Sequence, residues 1–286
     1  MYLGLERFKQ LVEQQTNQQI QIRIFVGSQL GNDDDILEQA MLGANVAVLS
    51  DGGRLSNYQH QLGVLGAPYL LQDISQLNKL VDSDLFNSWT QQLSQRHKLK
   101  ILAFNWWQGS RHLLTQEPIN TPSDLTGIRM RTVGAPIWIE SIKAMGATAT
   151  PLSWAEVYSG LQQKVIDAAE AQYNAIYGSR LYEVTSHVTK TQHIQLISGL
   201  VTSADWFESL DAKQQQIVIT SAKAAGDFAT HLVKSNEEQI ENKLRAQGVV
   251  IKQLDIQPFV DATEQVYKSL GYSQLRKQVY ELLADE

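Results

Sequence analysis

The chain has 286 residues, with 24 lysines and arginines against 30 aspartates and glutamates, a formal charge of −6, and no cysteine. At roughly 100 to 200 residues per domain this spans two domains, and the mild acidity argues against a nucleic-acid binder, which needs a basic face. Disulfides, thiolate nucleophiles and Cys-ligated metal clusters are excluded, and no apolar run approaches the about 18 to 20 residues of a membrane span.

The chain opens on a helix: Leu5, Phe8, Leu11 and Val12 recur at helical spacing, the period of one buried stripe. No signal-peptide pattern precedes it, as a chain shortened at its start would read. Residues 18–26 alternate and are rich in β-branched side chains, which predicts a strand. A Gly27 to Gly31 turn and an Asn32 cap followed by Asp33, Asp34 and Asp35 then start a helix to Leu42. Residues 44–49 read as a buried strand ending at Ser50 and Asp51, giving a β-α-β unit whose polar strand ends face a ligand edge.

A helical stretch is predicted at about 74–96 and a strand at 99–105, followed by Trp106, Trp107 and Arg111. Residues 127–133 alternate strictly, so Arg129 and Arg131 share a face. Pro136 suits a helix start, and Ser153 with Glu156 has the spacing of a capping box. Strands are predicted at 147–151 and 165–169, with Glu170, Ala171 and Gln172 just past the second. One long strand is predicted at 192–202, and a helix of about 36 residues over 212–247, capped by Gly248 and about 54 Å long. Both are long enough to join two lobes. A last strand at 249–254 and two helices from Pro258 and Ser273 close the chain.

Catalytic motifs are missing. The six histidines show no zinc-binding spacing, and no nucleophile elbow, P-loop or dinucleotide fingerprint occurs. The Asp33 to Asp35 run has Glu38 where a calcium loop needs glycine, so it reads as a solvated helix start. What remains is a set of groups at predicted strand ends: Arg111, Arg131, Trp154, Asp51, Glu170 and Gln172. Two readings stay open on the residues alone. The arginines face a cleft and pair bidentately with an organic acid, or they are surface strand residues in structural ion pairs.

Four ordered blocks carry a resemblance: Gly27 to Gly31 with its acidic helix start, Gly127 to Gly134, Gly146 to Tyr158, and Leu161 to Glu170. Together they resemble the solute receptors of tripartite ATP-independent periplasmic (TRAP) transporters, the DctP-like family. The resemblance implies an α/β type II periplasmic-binding-protein fold, two lobes joined by long strands and a long bridging helix. Lobe I is expected at 1–106 and 198–236, lobe II at 107–197 and 237–286. It implies an extracytoplasmic receptor without cofactor or metal, monomeric, that captures a carboxylate by lobe closure for integral-membrane transporter subunits. Arg131 matches the family's signature arginine, Arg111 a second ligand-side arginine, Asp51 a polar contact and Trp154 an aromatic one. Ala171 stands where many relatives have asparagine, so Gln172 or Glu170 is expected to substitute. Relatives also carry a targeting segment and a first strand before the opening helix, and the lack of that strand is expected to leave a gap in the first lobe's sheet. The alternatives are a receptor of an ATP-driven importer, a sensor, or an enzyme on the same lobes with Asp51 or Glu170 as general base.

Overall fold

A computed structural model of the chain describes residues 1–71 and 73–284. Seven strands form one mixed sheet: β1 (Ala47–Asp51), β2 (Leu99–Thr115), β3 (Arg129–Thr132), β4 (Thr148–Pro151), β5 (Ala168–Ala171), β6 (His187–Ser203) and β7 (Val250–Lys252), in the order β1-β6-β2-β5-β3-β4 with β7 beside β6. Around it lie α1 (Tyr2–Gln15), α2 (Asp33–Met41), α3 (Gly52–Leu55), α4 (Leu77–Val81), α5 (Asp84–His97), α6 (Pro136–Ala144), α7 (Val157–Gln162), α8 (Tyr173–Gly178), α9 (Ala204–Glu208), α10 (Ala212–Ala246), α11 (Gln257–Ser269) and α12 (Ser273–Ala284).

The long elements make the architecture. β2 and β6 are 17 residues each and pair antiparallel along most of their length, about 50 Å at 3.2 to 3.4 Å per residue. Their Leu99–Trp107 and Ser198–Ser203 halves carry β1, and their Gly109–Thr115 and His187–Leu196 halves carry β5 and β7. Register shifts between Ile101 and Gly109 bend the ladder midway, as extra residues on one strand do. The 35-residue α10, about 52 Å long, runs along β2 and spans the same two halves. It starts at a capping box formed by Asp211 and Gln214, and Gly248 follows its end at φ +89°, the left-handed conformation that glycine adopts freely.

Several predicted elements change. Residues 21–26 form no regular element and pair with no strand, because Asn17 and Gln18 turn the chain at φ +50° and +63° and the Ile22 amide donates to the Glu13 carboxylate instead. The first β-α-β unit therefore does not form: β1 begins at Ala47 and runs antiparallel to β6. A cavity of about 660 Å³ lies between α1, residues 19–25 and β1. The stretch at 74–96 breaks at Asp82, with Ser83 capping α5. No capping box forms at Ser153, whose hydroxyl donates to the Glu156 carboxylate while the chain makes a short 3-10 turn. The strand expected at 165–169 lies at 168–171, which moves Glu170 and Ala171 inside it.

Two apolar cores flank the bend. One gathers Leu37, Leu55, Trp89, Leu99 and Phe104 with Trp138, Tyr267 and Val279; another packs Leu161, Ile166, Ile176, Val188 and Leu244. Trp138 reaches from α6 onto α3. A Cβ on Gly53 would fall 1.7 Å from its Nε1, so only glycine permits this approach.

Candidate functional site

The bend of the sheet opens into a cleft of about 620 Å³. Asp33 and Asp34 on α2, Asp51 at the end of β1 and Arg54 on α3 form one wall. Arg131, Val133, Leu152, Trp154 and Gln172 form the other, and Gln108, Arg111 and Ser198 from β2 and β6 lie between them. The structure thus brings Arg131, Arg111, Trp154, Asp51 and Gln172 into one cleft, although 121 residues of sequence separate Asp51 from Gln172.

Arg131 is 2 % exposed. Its Nε donates to the Leu152 carbonyl at 2.9 Å, and its guanidinium carbon lies 5.3 Å from the Trp154 ring centre. No carboxylate pairs with it among the described residues. Burial, and next the neighbouring Arg111 charge, push it down to about 10, which still leaves it cationic at neutral pH. Trp154 is held in turn by its Nε1, which donates to the Ser179 hydroxyl at 3.1 Å.

Arg111 is buried too, but satisfied. It donates to the Glu170 side chain and main chain and, through Nη1, to Gln172 Oε1 at 3.3 Å. The Trp138 ring covers its guanidinium at 4.6 Å. Glu170 does not line the cleft. It is fully buried behind Arg111, where Thr132 Oγ1 donates to Oε1 at 3.3 Å and His193 Nε2 lies 3.5 Å from Oε2. Burial alone would raise this carboxyl, but the charge of Arg111 and the contact with His193 outweigh it and hold it at about 2. A short amide chain continues across the cleft floor: Gln172 Nε2 to Gln108 Oε1 at 3.5 Å, and Gln108 Nε2 to Ser198 Oγ at 2.7 Å.

Asp51 combines two roles. It lines the cleft, and it caps α3 by accepting the Arg54 amide at 2.9 Å. The second strand arginine, Arg129, is exposed and paired with Asp167 through Nη2 at 2.7 Å and Nε at 2.9 Å, so the structural ion-pair reading holds for Arg129 and not for Arg131. Arg54, Gln108 and Trp138 were not singled out in the sequence, and Asp33, expected there only as part of a solvated helix start, lines the cleft; an arginine three residues past the strand-end Asp51 was the available signal for Arg54. The buried histidines were missed as well, because His112 and His193 share no motif and meet only through the β2–β6 pairing.

His112 is buried against Tyr173, and neither ring nitrogen has a hydrogen-bond partner among the described residues. Burial, then the nearby His193 and Lys190, lower it to about 3. The unfolded chain therefore takes up a proton near pH 6.5 that the folded protein refuses until about pH 3, so stability falls as pH drops through that window. In thermal melts from pH 7 to 4, H112F is expected to lose part of this acid slope; an unchanged slope would show that His112 does not drive it.

Comparison with known proteins identifies the family. Residues 1–274 match the profile of bacterial extracellular solute-binding protein family 7, DctP. The 2,3-diketo-L-gulonate-binding periplasmic protein YiaO of Escherichia coli K12 is 28% identical over 91% of this chain and 80% of its own. A TRAP periplasmic solute-binding protein of Escherichia fergusonii in an apo open structure is 43% identical, covers 98% of this chain and 94% of its own, and superposes with a TM-score of 0.86. One from Actinobacillus succinogenes with bound L-galactonate is 30% identical, covers 99% and 94%, and superposes at 0.95. Identity and shape thus rank these two in opposite order.

Proposed function

Since the chain belongs to bacterial extracellular solute-binding protein family 7, the receptors of TRAP transporters, we propose that it captures an organic acid anion between its lobes and hands it to integral-membrane transporter subunits. One observation carries this reading: Arg131, buried at the cleft with no carboxylate partner among the described residues. A desolvated guanidinium offers paired N–H donors that match a carboxylate, so an acid ligand completes what the protein leaves open. In this reading Arg131 holds the carboxylate over Trp154, Arg111 and Gln172 add donors, Asp51 accepts from the ligand, and Glu170 acts by orienting Arg111.

The lobes are taken as 1–106 with 198–236 and 107–197 with 237–286, α12 reaching back to α4 of the first. Binding closes them by a hinge at the bend of β2 and β6, a population shift that ligand contacts to both walls stabilise. The protein is read as a monomer acting outside the cytoplasmic membrane, by binding and not by turnover. No helix among the described residues is long and apolar enough to cross a membrane.

A thermal-shift screen over organic acids tests the reading. A ligand at about 100 times its Kd is expected to add about 2.7 kcal/mol of stability, and calorimetry on each hit then gives Kd. Stabilisation by neutral sugars and by no acid would overturn the anion assignment, and appearance of a product from the bound acid would overturn the receptor.

A further inference from the structure

One side chain touches both of the lobes taken above. Trp138 stands on α6, which packs on β3 and β4 of the second lobe, and its ring covers the guanidinium of Arg111 from that same lobe at 4.6 Å. The indole edge is lodged in the first lobe, against Gly53 of α3 and Gly66, the last residue of the 3-10 turn His60–Gly66. A Cβ on Gly53 would overlap Nε1 and Cδ1, and one on Gly66 would lie 2.9 Å from Nε1. Two glycines thus make a slot that one ring fills, and Trp138 is 1 % exposed in it.

The backbone of α3 does not itself call for glycine. Gly53 has no positive φ that other residues would avoid, and the three atoms nearest to its added Cβ all belong to Trp138. What requires a bare Cα there is the ring arriving from the other lobe. That ring is held by opposing terms. Its apolar body gains from burial, but Nε1 is buried with no acceptor among the described residues, whereas the Nε1 groups of Trp107 and Trp154 donate to Gln195 Oε1 and Ser179 Oγ. A buried donor without an acceptor is unfavourable, and water satisfies it once the lobes part. The contact therefore favours closure and still releases.

We propose that Trp138 is an interlobe latch: seated in the Gly53–Gly66 slot, it holds the lobes together and Arg111 in place before any ligand enters. The inference rests on the closure reading above and adds to it a contact that the protein supplies by itself. Apparent affinity scales with the fraction of receptor already in the binding-competent arrangement, so the latch raises affinity for every acid by the same factor, as a positioning residue and not by choosing among acids.

The chain has no cysteine, so a pair of introduced ones takes spin labels specifically. Q95C on α5 and Q162C on α7, both exposed, put one label on each lobe, and double electron–electron resonance without ligand reads their separation. The labelled parent is expected to show a short distance, that of this structure, beside a longer one. G53A and W138A are each expected to cut the ratio of short to long about tenfold, as loss of a well-packed aromatic contact does. In G53A/W138A the alanine meets no ring, so the double variant is expected to match W138A, the signature of two changes acting through one contact. W138F keeps a ring in the slot without the orphan donor, and is expected to retain most of the short population. A ratio within about twofold of the parent in G53A, or additive losses in the double variant, overturns the latch. A parent found wholly at the long distance overturns it too and leaves ligand-driven closure standing, whereas one distance shared by the parent and every variant overturns closure itself. An unfolded W138A gives a broad spread in place of discrete distances, and G53A, whose added methyl meets the indole first, then decides.

Discussion

Replacing Arg131 with alanine is expected to weaken binding of an acid ligand by about 30- to 5000-fold, the 2 to 5 kcal/mol lost when one partner of a buried, hydrogen-bonded charge pair is removed. The size follows from the surroundings of the guanidinium. It is 2 % exposed, has the Leu152 carbonyl as its one hydrogen-bond acceptor among the described residues, and lies beside a second arginine. Burial without a counter-charge makes the free receptor pay a desolvation cost that the ligand's carboxylate relieves. The same substitution is therefore expected to leave the ligand-free protein as stable as wild type or more so, while abolishing the rise in Tm that the ligand confers on wild type. R131K keeps the charge but loses the planar fork, and is expected to fall between the two. Calorimetry and melts with and without ligand check both halves. Binding by R131A within threefold of wild type would remove Arg131 from the site.

The unpaired charge also bears on closure. Identity favours the open E. fergusonii protein, yet the superposition is better with the galactonate-bound one. Trp138 then lies between the glycine surface of α3, at Gly53, and the guanidinium of Arg111. In the closure proposed above, that stack would join the two walls and keep the Asp33–Asp51–Arg54 wall within electrostatic reach of Arg131.

Local patterns made much of this legible, and contacts distant in sequence did not. Arg131 was readable because strict alternation at 127–133 fixes which side chains share a face, and burial then separates Arg131 from Arg129. The span of α10 and β6 was readable because length alone requires them to cross both halves. Residues 18–26 failed for the opposite reason: their alternation suits a strand, but a strand needs a ladder partner, and strand propensity is largely a report on neighbours. Glu170 failed by register. Moving β5 from 165–169 to 168–171 takes Glu170 from beyond the strand end to a position opposite Leu113 of β2, and a shift of one residue exchanges the two faces of a strand. Asp33 and Arg54, 21 residues apart, form their bridges only once α2 and α3 pack at the end of β1.

Glu170 gives the second large effect. Its loss in E170L would leave Arg111, 4 % exposed, without a carboxylate, and breaking a buried pair from one side costs about 3 to 5 kcal/mol. A Tm lower by on the order of 10 °C is expected. E170Q separates charge from shape. It keeps an acceptor for Arg111 and Thr132 but removes the negative charge behind the cleft, so Arg111 presents more of its own charge to a ligand; acid binding is expected to tighten while the free protein loses stability. The pH dependence gives an independent reading. Arg111 and His193 hold the folded carboxyl at about 2 against 4.5 in the unfolded chain, so its contribution is complete above the unfolded value and disappears as pH falls from about 5 towards 2. Wild type should lose stability over that range more steeply than E170Q. If E170L melted within 2 °C of wild type and E170Q kept the full acid slope, the Arg111–Glu170 pair would have no part in holding the cleft.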